Sequence, residues 1–204
     1  MYSCVFKRLL DVVFACLILV VSSPVLLLIA IAIKLDAEGP AVFSQRRLGR
    51  GGKEFDMYKF RTMVMNAEAG GVYSDAKDSR VTSVGRLLRK TSLDELPQCI
   101  NIIKGDMSFV GFRPPLTYHP WRWEEYMEQQ KRMFSLRPGI TGWAQVNGRR
   151  TVEWNRRIEM NVWYAEHVSF WLDCKIVLMT VFKVLANSDN ENIGASASGK
   201  TIDQ

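Results

Sequence analysis

Between Val12 and Ile33 the chain carries 22 residues with no formal charge. That length reads as a membrane-crossing helix, so whatever else folds must be built around an apolar rod. A secretory signal is disfavoured, because no small-residue cleavage site follows and the run is too long. Two features oppose a simple span. Ser22-Ser23-Pro24 lies at its middle, where proline breaks the helical hydrogen-bond ladder. Lys7 and Arg8 precede the run and Lys34 follows it, so both ends carry the charge expected on the cytoplasmic side. Each leg would rise ~15 Å, about half of a hydrocarbon core. The residues leave a straight, proline-kinked span and a re-entrant hairpin equally open. In either, serine hydroxyls can satisfy carbonyls freed at the bend.

The remainder is long enough for one domain with a sizeable core. Lys and Arg number 27 against 21 Asp and Glu, a basic balance that suits nucleic acid, an anionic membrane or phosphorylated substrates. No stacked-aromatic RNA motif or zinc-finger spacing occurs, which argues against nucleic acid. Four scattered cysteines and two histidines argue against a disulfide framework or zinc and for a reducing compartment. No P-loop or dinucleotide-binding glycine fingerprint is present.

The chemistry concentrates in Lys90 to Pro115, KTSLDELPQCINIIKGDMSFVGFRPP. Asp94 and Glu95 stand at what reads as the opening of a helix, with Ser92 or Asp94 as its cap and Lys104-Gly105 as its stop. Free N–H groups and the positive dipole end would keep such carboxylates ionised at neutral pH. Plain capping is the alternative for an acid pair in this position. Arg86, Arg89, Lys90 and Arg113 surround the pair in sequence, and acids ringed by cations suit phosphate together with a divalent metal.

Elsewhere, Pro40 to Met63 reads as a β-hairpin turning at Gly49 to Gly52. Its Arg46, Arg47, Arg50 and Lys53 would lie near anionic lipid, while Lys59 and Arg61 either enter a site or stay solvated. Asn66 to Arg80 reads as a mobile loop. The aromatics of Tyr118 to Phe134 suit a membrane interface or a half-buried helix. Arg137-Pro138-Gly139 and Ile140 to Arg149 read as a glycine-punctuated loop suited to a nucleotide or sugar. Val152 to His167 reads as a helix, and Phe170 to Ala186 as an amphipathic interfacial helix or, alternatively, a core helix. The expected fold is α+β and mostly helical. It comprises a membrane helix over 1–36, a catalytic domain over 37–186 and a disordered tail over 187–204.

Several motifs in one order, KRLLDVVFA, SSP, YKFRTM, SLDELPQ, NIIKGDMSFVG and RPGITGWAQVNGR, resemble the small bacterial monotopic phosphoglycosyl transferases, the bacterial sugar transferase family. The resemblance covers almost the whole chain. It implies transfer of a sugar 1-phosphate from a UDP-sugar to undecaprenyl phosphate with release of UMP, as the first membrane step of glycan assembly that downstream glycosyltransferases continue. It further implies Mg²⁺, a re-entrant helix in the lipid bilayer, and a monotopic protein on the cytoplasmic face of the bacterial inner membrane. Asp94 would be the nucleophile that takes the phospho-sugar covalently. Glu95 would be its partner in metal or proton handling, the two acids serving as metal ligands. Lys59, Arg89 and Arg113 match the family's phosphate cations. Arg137, Pro138, Gly139, Gln145, Asn147 and Arg149 match its nucleotide-binding region. The family usually has proline where this chain has Phe112, which implies a less firmly held Arg113. A silent nucleotide-sugar-binding scaffold and a peripheral basic lipid-binding module are the rival classes.

Overall fold

The computed structural model describes residues 2–67, 71, 78–148 and 152–186. A π-helical turn, Tyr2–Phe6, runs directly into α1, Lys7–Asp36. The helix is continuous through Pro24. Pro24 has no N–H to give to the carbonyl of Val20 four residues back, and the Ser23 hydroxyl donates to that same carbonyl at 2.8 Å. Ser22 donates to Ile18 in the same way at 2.6 Å. The Ser23 hydroxyl thus supplies the donor that the proline removes.

Both legs of α1 rest on the same folded body. Before Pro24, Ala15, Ile18 and Leu19 share an apolar cluster with Phe55, Met57, Cys99, Ile102 and Met107. After it, Ile29 and Ile33 share one with Phe60 and Leu88. Phe55, Met57 and Phe60 belong to one strand, β2 (Glu54–Phe60), which pairs antiparallel with β1 (Val42–Leu48). This is the expected hairpin. The opposite face of α1 carries exposed Val13, Leu17, Val20, Val21, Leu28 and Leu35, an apolar stripe with no protein over it among the described residues.

After α2 (Ser83–Thr91) the acid pair occupies a 3₁₀ turn, Leu93–Glu95, and α3 (Gln98–Lys104) follows. The acids therefore do not open the helix. Ser92 takes a left-handed conformation that ends α2, and neither Ser92 nor Pro97 makes a side-chain cap. The expected stop at Gly105 is present, at φ 96°. β3 (Ser108–Val110) and β4 (Gly139–Thr141) form a short parallel pair. Between them lie the small helix α4 (Glu128–Lys131) and two 3₁₀ turns. The aromatics of this stretch serve a core: Trp121, Trp123, Tyr126 and Phe134 gather with Leu48, Phe112 and Ile158. β4 and α5 (Trp143–Asn147) replace most of the expected glycine loop. Arg149, the middle of the 66–80 loop and the tail 187–204 lie outside the described residues.

α6 (Trp154–His167) and α7 (Phe170–Leu185) close the body. The faces of α7 are reversed from those of an ordinary surface helix: Asp173 and Ile176 are buried, while Trp171, Leu178, Phe182 and Leu185 are exposed. Asp173 receives Lys7 as a buried ion pair, the Tyr2 hydroxyl at 2.7 Å and the Tyr164 hydroxyl at 2.5 Å. Nearby, Asp11 accepts from the Phe109 N–H at 3.1 Å, and Arg8 donates to the carbonyls of Ile102 and Ile103. These contacts fasten the start of α1 to α3, β3 and α7.

Removing one partner of a buried pair costs ~3–5 kcal/mol, because the other charge is stranded. Lys7→Met is expected to lower the thermal midpoint in detergent sharply, and adding Asp173→Asn should restore most of the loss. A double variant as unstable as the single one would contradict the pairing.

Candidate active site

Four elements bring the acids and cations together, and each cation is held by a different device. Lys59 is carried by β2, which Asn101 fixes to α3. The fully buried Asn101 accepts from the Tyr58 N–H at 2.9 Å and donates to the Asp56 carbonyl at 2.7 Å. Arg89 projects from α2 and donates through Nε to the Thr62 hydroxyl at 2.9 Å. α2 comes close enough for this because Gly85 lies against residue 62. A Cβ there would stand 2.1 Å from the Thr62 carbonyl oxygen. Thr82 caps α2 by accepting from the Gly85 N–H at 3.0 Å.

Arg113 follows β3 and pairs with Glu95, Nη1 to Oε1, at 3.0 Å. Its neighbours are pinned: the Phe112 carbonyl accepts from the Gly139 N–H, the Pro114 carbonyl from Arg47, and the Pro115 carbonyl from the Leu48 N–H. Phe112 is buried with its ring centroid 4.9 Å from that of Phe134. Packing anchors Phe112, the residue that stands where the family usually has proline, beside Arg113.

The electrostatics correct one expectation. Away from a helix N-terminus, Asp94 is not held low. Burial, and then the adjacent Glu95 charge, raise it to about 6 against the pull of Lys59, Arg89 and Arg113. Asp94 thus stays mostly ionised near pH 7, though less firmly than a capping carboxylate would. Lys59 is pushed down to about 8, first by burial and then by Arg47 and Arg113, while Asp94 partly offsets them.

Arg47, expected from the sequence close to the bilayer surface, is half-buried, donates to Pro114 at 3.0 Å and to Gln45 at 2.5 Å, and its charge acts on Lys59. Strand alternation was the available signal, since Phe43, Gln45, Arg47 and the partner Lys59 share one face. Asn101 and Thr62 were also missed.

The expected nucleotide residues are held by other contacts. Arg137 donates to the Gly105 carbonyl at 2.8 Å. Pro138 and Gly139 are pressed against Gly111, where a Cβ would stand 2.3 Å from the Arg137 carbonyl oxygen. Gln145 donates to Ile140 at 2.9 Å and Asn147 to Trp143 at 3.0 Å.

Among the described residues no group of three or more His, Cys, Asp or Glu comes together. A cage made wholly of protein ligands is therefore not formed. Two adjacent carboxylates fit the donor set of Mg²⁺, which takes one or two carboxylates together with other oxygens and water. A carboxylate with cations on several sides is an arrangement suited to chemistry at a phosphate.

A family model described as bacterial sugar transferase matches residues 2–187. An uncharacterized sugar transferase, EpsL, of Bacillus subtilis is 44% identical over 90% of this chain and 89% of its own. UDP-glucose:undecaprenyl-phosphate glucose-1-phosphate transferases of Escherichia coli and Caulobacter vibrioides are each 46% identical, over 89% and 90% of this chain. The chain spans 40% of the Escherichia coli protein's length and 71% of the Caulobacter vibrioides protein's.

If Asp94 must be ionised and Lys59 protonated, kcat/KM should rise through about pH 6 and fall through about pH 8. Lys59→Arg should move the alkaline limb well above 8 and leave the acid limb in place. An unchanged alkaline limb would remove Lys59 from that role.

Proposed function

We propose, on the premise that the chain belongs to the bacterial sugar transferase family, that it moves a sugar 1-phosphate from a UDP-sugar to undecaprenyl phosphate. The observation that carries this reading is the Asp94–Glu95 pair set among Lys59, Arg89 and Arg113. A carboxylate oxygen of Asp94 attacks the β-phosphorus of the donor, and the bond to the UMP oxygen breaks. UMP leaves with the bonding pair, and the sugar phosphate stays on Asp94. A phosphate oxygen of the lipid then attacks the same phosphorus and frees the carboxylate. Splitting the reaction lets a soluble donor and a lipid acceptor use one site in turn.

Lys59, Arg89 and Arg113 neutralise and orient the phosphate oxygens. Glu95 holds Arg113 in place at 3.0 Å. Mg²⁺, when bound, would be held by Asp94 and Glu95 and would offset diphosphate charge. On this reading the residues of Arg137 to Asn147 would form the nucleotide side of the site.

The acceptor phosphate lies at a bilayer surface, and α1 suits a monotopic seat there on the cytoplasmic face. A straight span would carry one leg away from the body. Here Ala15 and Ile33 both pack on clusters that include β2, whose Glu54, Asp56 and Lys59 belong outside hydrocarbon. The exposed stripe of α1 and the outer face of α7 would enter the lipid. Cysteines placed at Val5 and Leu35, in a background without native cysteines, should both resist a membrane-impermeant thiol reagent on intact cells. Both should react after lysis, and labelling of either from outside would overturn the re-entrant seat.

Asp94→Asn tests the chemistry, because it keeps shape and removes the nucleophile. UMP release from UDP-sugars with undecaprenyl phosphate should fall by roughly 10³-fold or more, with membrane association retained. Near-parental turnover would exclude Asp94.

A further inference from the structure

Arg61 neither joins the acid pair nor meets solvent. It is 5% exposed, and both Nη groups donate to the chain leaving α1, at the carbonyls of Ala37 (2.6 Å) and Glu38. The negative end of a helix favours a cation, and a guanidinium stays buried without great cost only where its donors are met. The Arg61 N–H donates in turn to the Ala41 carbonyl at 2.9 Å. Gly39 lets the chain pass this close: it turns at φ 115°, and a Cβ there would stand 2.7 Å from Arg61 Nη1. The end of α1 is thereby fastened to the residue that follows β2.

The next residue carries the fastening to α2. Thr62 is buried, and it meets α2 at both ends. Its carbonyl accepts from the Thr82 N–H at 3.1 Å, just before the helix begins. Its hydroxyl accepts from Arg89 Nε at 2.9 Å, two turns further on. α1 also reaches α2 directly. Asp36, the last residue of α1, accepts through its carboxylate from the Val84 N–H at 2.9 Å, one of the first-turn donors that a helix cannot satisfy itself. The start of α2 is thus tied to α1 through Asp36, and the guanidinium near its end through Arg61 and Thr62.

That guanidinium belongs to the acid pair's surroundings. Burial holds Arg89 below the ordinary guanidinium range, and among the charges that oppose burial Asp94 is the strongest. α2 also runs through Ser92 straight into the turn that carries Asp94 and Glu95. The other two cations are held differently: Lys59 sits on β2, which Asn101 fixes to α3, and Arg113 pairs with Glu95. α2 spans nine residues, and so short a helix moves as one body. A displacement of its first turn at Asp36 is carried to Arg89.

We propose that Asp36, Arg61 and Thr62 are positioning residues that act through Arg89, so that the end of α1 sets where this cation stands for the donor's diphosphate. The proposal rests on the reading of Arg89 as a donor-phosphate cation and adds what holds it there. It is tested by binding, independently of turnover, through the Kd of UDP measured by calorimetry on the full chain in detergent. Thr62→Val, which keeps shape and removes the hydroxyl, should weaken UDP by about ten-fold, the scale of one lost hydrogen bond to a charged group. Thr62→Ser keeps the hydroxyl and should bind as the parent does. Asp36→Ala, and Arg61→Lys with its lost fork, should each weaken UDP by about three-fold. Arg89→Ala should weaken it by at least as much as Thr62→Val. In the Arg89→Ala background the other three substitutions should have no further effect, because the residue they act through is gone. A merely structural role would instead weaken UDP by the same factor in both backgrounds, and that result would overturn the proposal. So would Thr62→Ser binding as weakly as Thr62→Val, or Arg89→Ala binding UDP as the parent does. A parent that shows the coupling yet releases no UMP from UDP-sugars with undecaprenyl phosphate would sink the proposed activity and leave the positioning role standing.

Discussion

A carboxylate held in the interior by three donors is what the rest of the fold leans on. Asp173 could not remain buried alone, since an uncompensated interior charge is among the costliest features a protein can carry. Lys7, Tyr2 and Tyr164 compensate it, and the first two come from the opposite end of the chain. The bond network thereby joins two helices that each present apolar residues outward. The start of α1 is fixed at α7 and its later turns lie on Phe60 and Leu88, and the apolar stripes have no protein over them among the described residues. Under the proposed monotopic seat this surface would meet lipid, and the buried pair would then set where a bilayer sits relative to Asp94.

The site depends on opposed electrostatic terms rather than on a helix end. Burial and Glu95 push the Asp94 carboxyl up, and three cations pull it down. Burial and its cationic neighbours lower Lys59, and Asp94 partly restores it. Each group is kept close to neutral pH by the others, so a change at one is felt by all. Under the proposed activity, the negative oxygens of a diphosphate would offset the mutual repulsion of Lys59, Arg89, Arg113 and Arg47.

Much of this was legible in the sequence where local rules govern. The hairpin followed from strand-forming runs around Gly49 to Gly52, the end of α3 from Lys104-Gly105, and the repair of the proline break from Ser23. The clustering of Arg89 and Arg113 around the acids followed from proximity in the chain and from the family motifs. What failed were inferences that needed partners far away. The capping spacing at Ser92 competed with a left-handed turn that ends α2, and the turn prevailed. Alternation along β1 puts Arg47 on the Lys59 face, but the Pro114 carbonyl that holds it lies 67 residues away and gives no local signal. Asp173 read as an interruption in an apolar helix, because Lys7 lies 166 residues away. Asn101 gave no signal, since its two bonds to the β2 backbone exist only once α3 is docked.

The central claim is that the sugar phosphate rests on Asp94 between donor and acceptor. The most direct measurement mixes the purified protein with a UDP-sugar in the absence of undecaprenyl phosphate, quenches the mixture and determines the intact and peptide masses. The account predicts a gain equal to one sugar phosphate on the peptide containing Asp94, with UMP released in equal amount and the adduct discharged when the lipid phosphate is added. UMP formed only in the presence of the acceptor, with no adduct on any peptide, would contradict it.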